Sequence, residues 1–211
     1  MPATRPPLTV LEGRFIRLEP LRDSDLPELY RAVGSREVFA GGWGGGPAGH
    51  CASEPEFVDF ARGYLAWQTG NVYGVRIANG PDASKLIGTS TLGDFEEAKE
   101  RAHIGWTAYA TAVWGTVVNP ETKLLMLGLA FDHGFGRVKL QADAVNDRSR
   151  AAIAKLGATF EGIVRRDQPR ADGSWRDAAV YSILATEWPA VRSGLEARIA
   201  VHGTEPITLR R

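Results

Sequence analysis

The residues best placed to do chemistry cluster around one strand-to-helix junction. Residues 101–109 alternate like a strand, residues 110–118 form a loop, and Asn119-Pro120-Glu121 opens a helix with a capping Asn, a Pro whose missing N–H costs nothing there, and an acid in the first turn. A strand feeding a helix N-terminus aims unpaired backbone N–H groups and the positive end of the helix dipole at one point, which suits a diphosphate. It is no nucleotide P-loop, because no Gly-Lys-Ser/Thr occurs, and no dinucleotide fingerprint, because its only glycine is Gly115. An ordinary capped helix has the same sequence, so both readings stay open. Asn146-Asp147-Arg148-Ser149 is a second polar helix start, closed by Gly157.

Other candidates are weaker. Gly44-Gly45-Gly46-Pro47-Ala48-Gly49 spells G-x-G-x-x-G but follows no strand and contains Pro, so a mobile loop is expected. Trp43 on that glycine island either closes over a substrate or packs on the surface. His50, Cys51 and Glu54 have no second histidine at ligand spacing, and no metal site is expected. Basic residues 165, 166, 170 and 176 are offset by Asp167, Asp172 and Asp177, as on a solvated hairpin.

The elements that must position these groups follow from periodicity. Residues 15–19 alternate as a strand, and Leu26, Leu29, Tyr30 and Val33 share one helical face. A second helix is expected over 56–69, a hairpin over 72–78 and 86–92, and a strand over 101–109. The helix from Asn119 is apolar on nearly every side and should be buried; a strand at 137–142, a helix from Asn146, strands at 159–166 and 177–185 and a helix at 187–200 complete the chain. This order implies an α/β fold with a mixed sheet covered by helices.

The string Trp114-Gly115-Thr116-Val117-Val118-Asn119-Pro120-Glu121-Thr122-Lys123-Leu124-Leu125, then Asn146 to Ala158, Glu161-Gly162, and Arg176 to Ser182, resembles the acyl-CoA-binding half of a GNAT-superfamily N-acetyltransferase of the RimJ/RimL-like branch. The resemblance covers about residues 11–185. It implies the GNAT fold, a mixed, mostly antiparallel central sheet flanked by helices with splayed central strands. It also implies acetyl-CoA or another short acyl-CoA as co-substrate, and direct transfer to a primary amine of a protein N-terminus or small molecule. Carried over position by position, Thr107, Ala108 and Tyr109 would pair with the pantetheine arm, and Trp114, Gly115, Thr116, Val117, Val118 and Asn119 would surround the diphosphate. Asn146 would hold the arm and Ser149 would protonate the departing thiolate; a hydroxyl that merely decorates a first turn is the other reading of Ser149. His103 matches the position of a glutamate base in several branches. A neutral imidazole suits that task, with a reference pKa of about 6.5, although a strand histidine without catalytic work reads the same way. Two small residues of the family's loop are replaced by Val117 and Asn119, and Gln168 stands where an acid is expected. These departures leave a catalytically degenerate domain, binding CoA or another ligand for regulation or assembly, as the alternative.

Composition bounds the remaining classes. Across 211 residues, 25 Lys+Arg balance 25 Asp+Glu and 44% of side chains are apolar, so no global charge draws the chain to a nucleic acid or an anionic membrane. The one cysteine excludes an internal disulfide, and the longest apolar run, 124–131 including Gly128, is far short of the roughly 20 residues of a membrane span. Residues 1–10 contain no apolar leader core. The expectation is one domain over 11–200 between tails at 1–10 and 201–211, cytoplasmic, a monomer or homodimer, with no metal.

Overall fold

The computed structural model describes residues 2–209. Eight strands form one sheet in the order β1-β2-β3-β4-β5-β6-β8-β7. They are β1 (Leu11–Glu12), β2 (Ile16–Pro20), β3 (Asn71–Ile77), β4 (Leu86–Glu96), β5 (Arg101–Tyr109), β6 (Arg137–Asp143), β7 (Thr159–Pro169) and β8 (Trp175–Leu184). The helices are α1 (Leu26–Val33), α2 (Arg36–Ala40), α3 (Glu54–Tyr64), α4 (Val118–Asp132), α5 (Asp147–Ala154) and α6 (Trp188–Val201). All pairings are antiparallel except β5 with β6. Among the described residues no helix is long and apolar enough to cross a membrane.

Two apolar layers sandwich the sheet. On one face Met126, Leu127 and Ala130 of α4 pack with Val191, Leu195 and Ile199 of α6 over Leu18, Val75, Ile87 and Ile104. On the other, Leu26, Leu29 and Val33 of α1 and Phe57 and Ala61 of α3 cover Val72, Leu86 and Ala108. The ends of the chain are packed as well: the Arg5 guanidinium donates to Gly70 O at 3.0 Å, and Ile207 is buried.

Several elements differ from the sequence expectation. α3 ends at Tyr64, five residues before Thr69, where Leu65 turns to extended backbone. The glycine island is not a loose loop; two 3-10 turns at Trp43–Gly45 and Pro47–Gly49 fold it onto the second apolar layer. Trp43 is buried against Phe39, Phe57, Phe60 and Tyr64, so the aromatic residues of α2 and α3 supply the packing that local entropy opposes. Gly42, Gly44, Gly45 and Gly46 all hold positive φ, which explains the glycines better than flexibility does. α4 opens one residue before Asn119, and Asn119 does not cap it: its carboxamide oxygen accepts from Tyr109 Oη at 3.3 Å, while Thr116 Oγ1 accepts from the Val118 amide at 3.4 Å. The basic hairpin is only partly solvated, for Arg176 pairs with Asp167 at 2.9 Å and Arg170 with Asp143 at 2.5 Å, with Asp143 buried.

Candidate active site

β5 and β6 pair only over Arg101–His103 and Arg137–Lys139, then part. Beyond that point residues 104–109 and 140–143 present unpaired edges to each other, and a cavity of about 660 Å³ opens between them. A β-bulge sharpens the divergence. Thr89 pairs with Ala108 and Thr91 with Gly105, so β5 carries one residue more than β4, and Trp106 absorbs it at φ 50°.

A second bulge lies on β4, between the pairs Gly93–His103 and Glu96–Arg101, with Asp94 at φ 50°. The two irregularities bracket His103. The left-handed turn brings the Asp94 carboxylate to 2.8 Å from His103 Nδ1, while His103 Nε2 is buried and has no partner. With Nδ1–H donating to the carboxylate, the lone pair sits on Nε2. Burial pushes the His103 pKa below its ordinary value, Asp94 pulls it back up, and Lys139 adds to the lowering; hydrogen bonding to His103 holds Asp94 below the usual carboxylate range. Gly105 lies directly under the ring: a Cβ there would be 2.6 Å from His103 Cε1.

At the far end of the slot, the amides of Gly115, Val117 and Asn119 have no acceptor among the described residues. All three lie at the start of α4, where the dipole favours an anion. Val117 has φ −67° and a buried side chain, so its branched Cβ points into the core and does not obstruct the amides. Arg148 stacks its guanidinium 3.4 Å from the centroid of the Trp114 indole, and Trp114 Nε1 donates to Tyr109 O at 3.0 Å. Among the described residues Arg148 has no carboxylate partner, and burial lowers its pKa. Together with Lys155 and Arg198 on the same cavity, it gives this wall cationic groups of the kind that pair with phosphates.

The structure brings Thr107, Tyr109, Trp114, Gly115, Thr116, Asn119, Asn146 and Ser149 to one cavity, with His103 where the two strands part. Ala108 contributes backbone to the same lip, its side chain packing into the second apolar layer. Val117 and Val118 are not brought to the cavity wall: their side chains belong to the core, and the Val118 amide is taken by Thr116 Oγ1. Asn146 is more constrained than expected: its oxygen accepts from the Ser149 amide at 3.0 Å and its nitrogen donates to Gly41 O. Gly41 to Trp43 thus cross from β6 to β5, with Trp43 Nε1 donating to Trp106 O at 3.2 Å, and close the acceptor end of the slot. Gln168 lines this end beside Asp167.

Sequence reasoning missed Lys123 and Arg148. Lys123 is buried in α4, with its Nζ 2.9 Å from Thr107 Oγ1 and 3.2 Å from Ser90 Oγ, and desolvation alone pushes its pKa down to about 7. A lysine on an otherwise apolar helical face was the available signal. Among the described residues, no group of three His, Cys, Asp or Glu is arranged to hold a metal.

The profile described as "Acetyltransferase (GNAT) domain" matches residues 16–159. The chain belongs to the GNAT acetyltransferase family. GNAT acetyltransferases use acetyl-CoA and act on amine acceptors, so this protein is an acyl-CoA-dependent N-acetyltransferase. A GCN5-related N-acetyltransferase from Brucella melitensis is 26% identical with a TM-score of 0.83, covering 95% of this chain and 90% of its own. A probable acetyltransferase of the GNAT family from Chromobacterium violaceum is 25% identical with a TM-score of 0.74, over 90% and 92%. RimJ of Mycobacterium smegmatis, in complex with CoA-disulfide, shares the GNAT fold at 22% identity and a TM-score of 0.67, over 92% and 91%. Among curated proteins, none matches this chain.

Proposed function

We propose that the slot between β5 and β6 binds acetyl-CoA and that the protein transfers its acetyl group directly to a primary amine, of a protein N-terminus or a small molecule, in a ternary complex. The residues fit the cofactor. Unpaired backbone at Thr107 to Tyr109 matches an extended amide-bearing arm as an added strand would. The free amides of Gly115, Val117 and Asn119 and the Arg148 guanidinium suit a diphosphate. Asn146 sets the start of α5 and walls the arm. Acetyl-CoA supplies the electrophilic thioester; every other part of the chemistry belongs to the chain.

The observation that carries the reading is His103 Nε2, buried and unpartnered where the two strands part, with Nδ1 anchored by Asp94. An acceptor amine attacks only when neutral, and Nε2 takes the proton that the amine loses. Asp94 orients the ring and stabilises the imidazolium. Ser149 Oγ, facing the slot from α5, donates to the departing thiolate. Val117, the residue that suggested a degenerate domain, does not weigh against binding, because its φ is negative and its amide has no acceptor among the described residues.

The test is thiol release from acetyl-CoA with a panel of amines. Ser149→Ala is expected to lower kcat by about tenfold or more while changing CoA affinity by less than about twofold, since the hydroxyl acts only as the thiolate leaves. Equal losses in both would remove Ser149 from the chemistry. Gly105→Ala is expected to cost about tenfold in kcat/KM, because the new methyl displaces an imidazole held between Asp94 and Trp106. Unchanged kinetics in that variant would show that the ring's position does not matter.

A further inference from the structure

Lys123 occupies a position that the transfer reaction does not explain. Its side chain rises from α4, the helix whose first turn is proposed to hold the diphosphate, and ends under the bulge of β5 that forms one lip of the slot. The Nζ atom has two hydroxyl partners, Thr107 Oγ1 and Ser90 Oγ, which also bond each other at 2.7 Å. Among the described residues no carboxylate contacts it, and Lys123 itself lines the cavity. Burying an ammonium without a counter-ion is costly, so burial pushes the Lys123 pKa down to about 7 and a substantial share of the amine is neutral near neutral pH. Three features therefore coincide: a primary amine, the neutral form that a nucleophile needs, and a place on the lip beside which the thioester of a bound acyl-CoA must lie.

We infer that Lys123 is a self-acetylation site, at which the protein's own acetyl-CoA modifies the buried amine when no acceptor occupies the slot. This rests on the reading that the slot binds acetyl-CoA. In the step, the Nζ lone pair forms the N–C bond to the thioester carbonyl carbon, the C–S bond breaks, and the electron pair leaves on sulfur as CoA thiolate. The amine's surplus proton leaves through water to a base of the slot such as His103 Nε2, which has no direct partner, and the thiolate takes a proton from Ser149 or water. No oxidant or further reactant is needed. The product is an amide, far less reactive than a thioester, so the acetyl group stays on Lys123 and is not passed on. It then occupies the lip that the thioester needs. Acceptor and Lys123 thus compete for one acyl group, and a protein held with acetyl-CoA alone should inactivate itself.

The test uses the full chain with acetyl-CoA and no acceptor amine, followed by intact mass and peptide mapping, with calorimetry on the same sample. The expected result is one acetyl unit per chain at Lys123, one equivalent of thiol released, suppression of both by excess free CoA, and at least tenfold lower activity in the modified protein. Lys123→Arg should acquire no such adduct. If that variant fails to fold, CoA protection of the wild-type protein carries the test by itself. Acetylation spread over exposed lysines, or none at Lys123 while acetyl-CoA binds and is turned over with an amine, overturns this inference and leaves the proposed function standing. Absence of acetyl-CoA binding in the calorimeter overturns both.

Discussion

Replacing His103 with Gln is expected to lower kcat/KM by about 10²–10⁴-fold, the range over which a positioned general base acts. Gln approximates the imidazole in size and can still meet Asp94, but it cannot take a proton. CoA affinity should stay near its wild-type value, because the amides proposed to hold the diphosphate lie at the opposite end of the slot. The pH profile supplies the sharper reading. Only the neutral ring accepts a proton, so wild-type kcat/KM should rise with pH and level off above a midpoint below the ordinary 6.5, since burial lowers the His103 pKa. With an acceptor amine already neutral across that range, the limb should vanish in His103→Gln. Asp94→Asn should retain part of the rate but shift the limb, because the ring then loses the partner that favours its charged form. An acid limb that persists in His103→Gln would assign the base elsewhere.

Stability follows the same sign. A histidine whose folded pKa lies below its unfolded one contributes stability that is complete above about pH 6.5 and is lost as pH falls through the folded value. The wild-type Tm should therefore drop on acidification more than that of His103→Gln. An identical drop in both would mean that the ring is not held neutral by burial.

Glu121→Ala carries the largest expected loss of stability. The Glu121 carboxylate reaches out of the first turn of α4 and accepts from the amides of Arg14 at 2.7 Å, Phe15 at 2.9 Å and Ile16 at 3.0 Å. It thereby ties the β1–β2 turn to the helix whose N-terminus borders the cavity. Burial pushes its pKa up even though three amides donate to it, which marks how dry the position is. Gly13 fits there because a Cβ would come within 2.8 Å of the Glu121 carboxyl carbon. Truncation strands three amide donors, two of them buried, each worth about 1–3 kcal/mol when left unmade, and a total near 3 kcal/mol is expected. Urea unfolding measures this directly. Glu121→Gln keeps one acceptor oxygen and should lose about half as much. A loss below about 1 kcal/mol for the alanine variant would mean that water replaces the carboxylate.

Much of the layout was legible in the sequence because it rests on local periodicity. β5 falls on the residues expected, 101–109, and α1 on the face of Leu26, Leu29 and Val33. The apolar run of α4 is buried as its composition requires. The string from Trp114 to Ala158 carried enough family character to imply the GNAT fold, the phosphate loop and the α5 start. Helix ends were less legible. α3 overran because apolar spacing continues past Tyr64, and the α4 start slipped by one residue because Asn119 resembles a cap while its oxygen instead serves Tyr109.

By itself, then, the sequence determined most of the strands and helices, though not the short β1 and α2, the faces the longer ones bury, and where a strand feeds a helix N-terminus. The tertiary structure alone decided which polar groups meet. Asp94 reaches His103 through a hairpin bulge, Arg148 lies on Trp114 across the parted strands, Trp43 sinks between helices from a run of glycines, and Lys123 is desolvated beneath Thr107. The physical reason is that periodicity is written in neighbours along the chain. Desolvation and partner choice depend on residues brought together from distant segments, and neither leaves a repeating mark in the sequence.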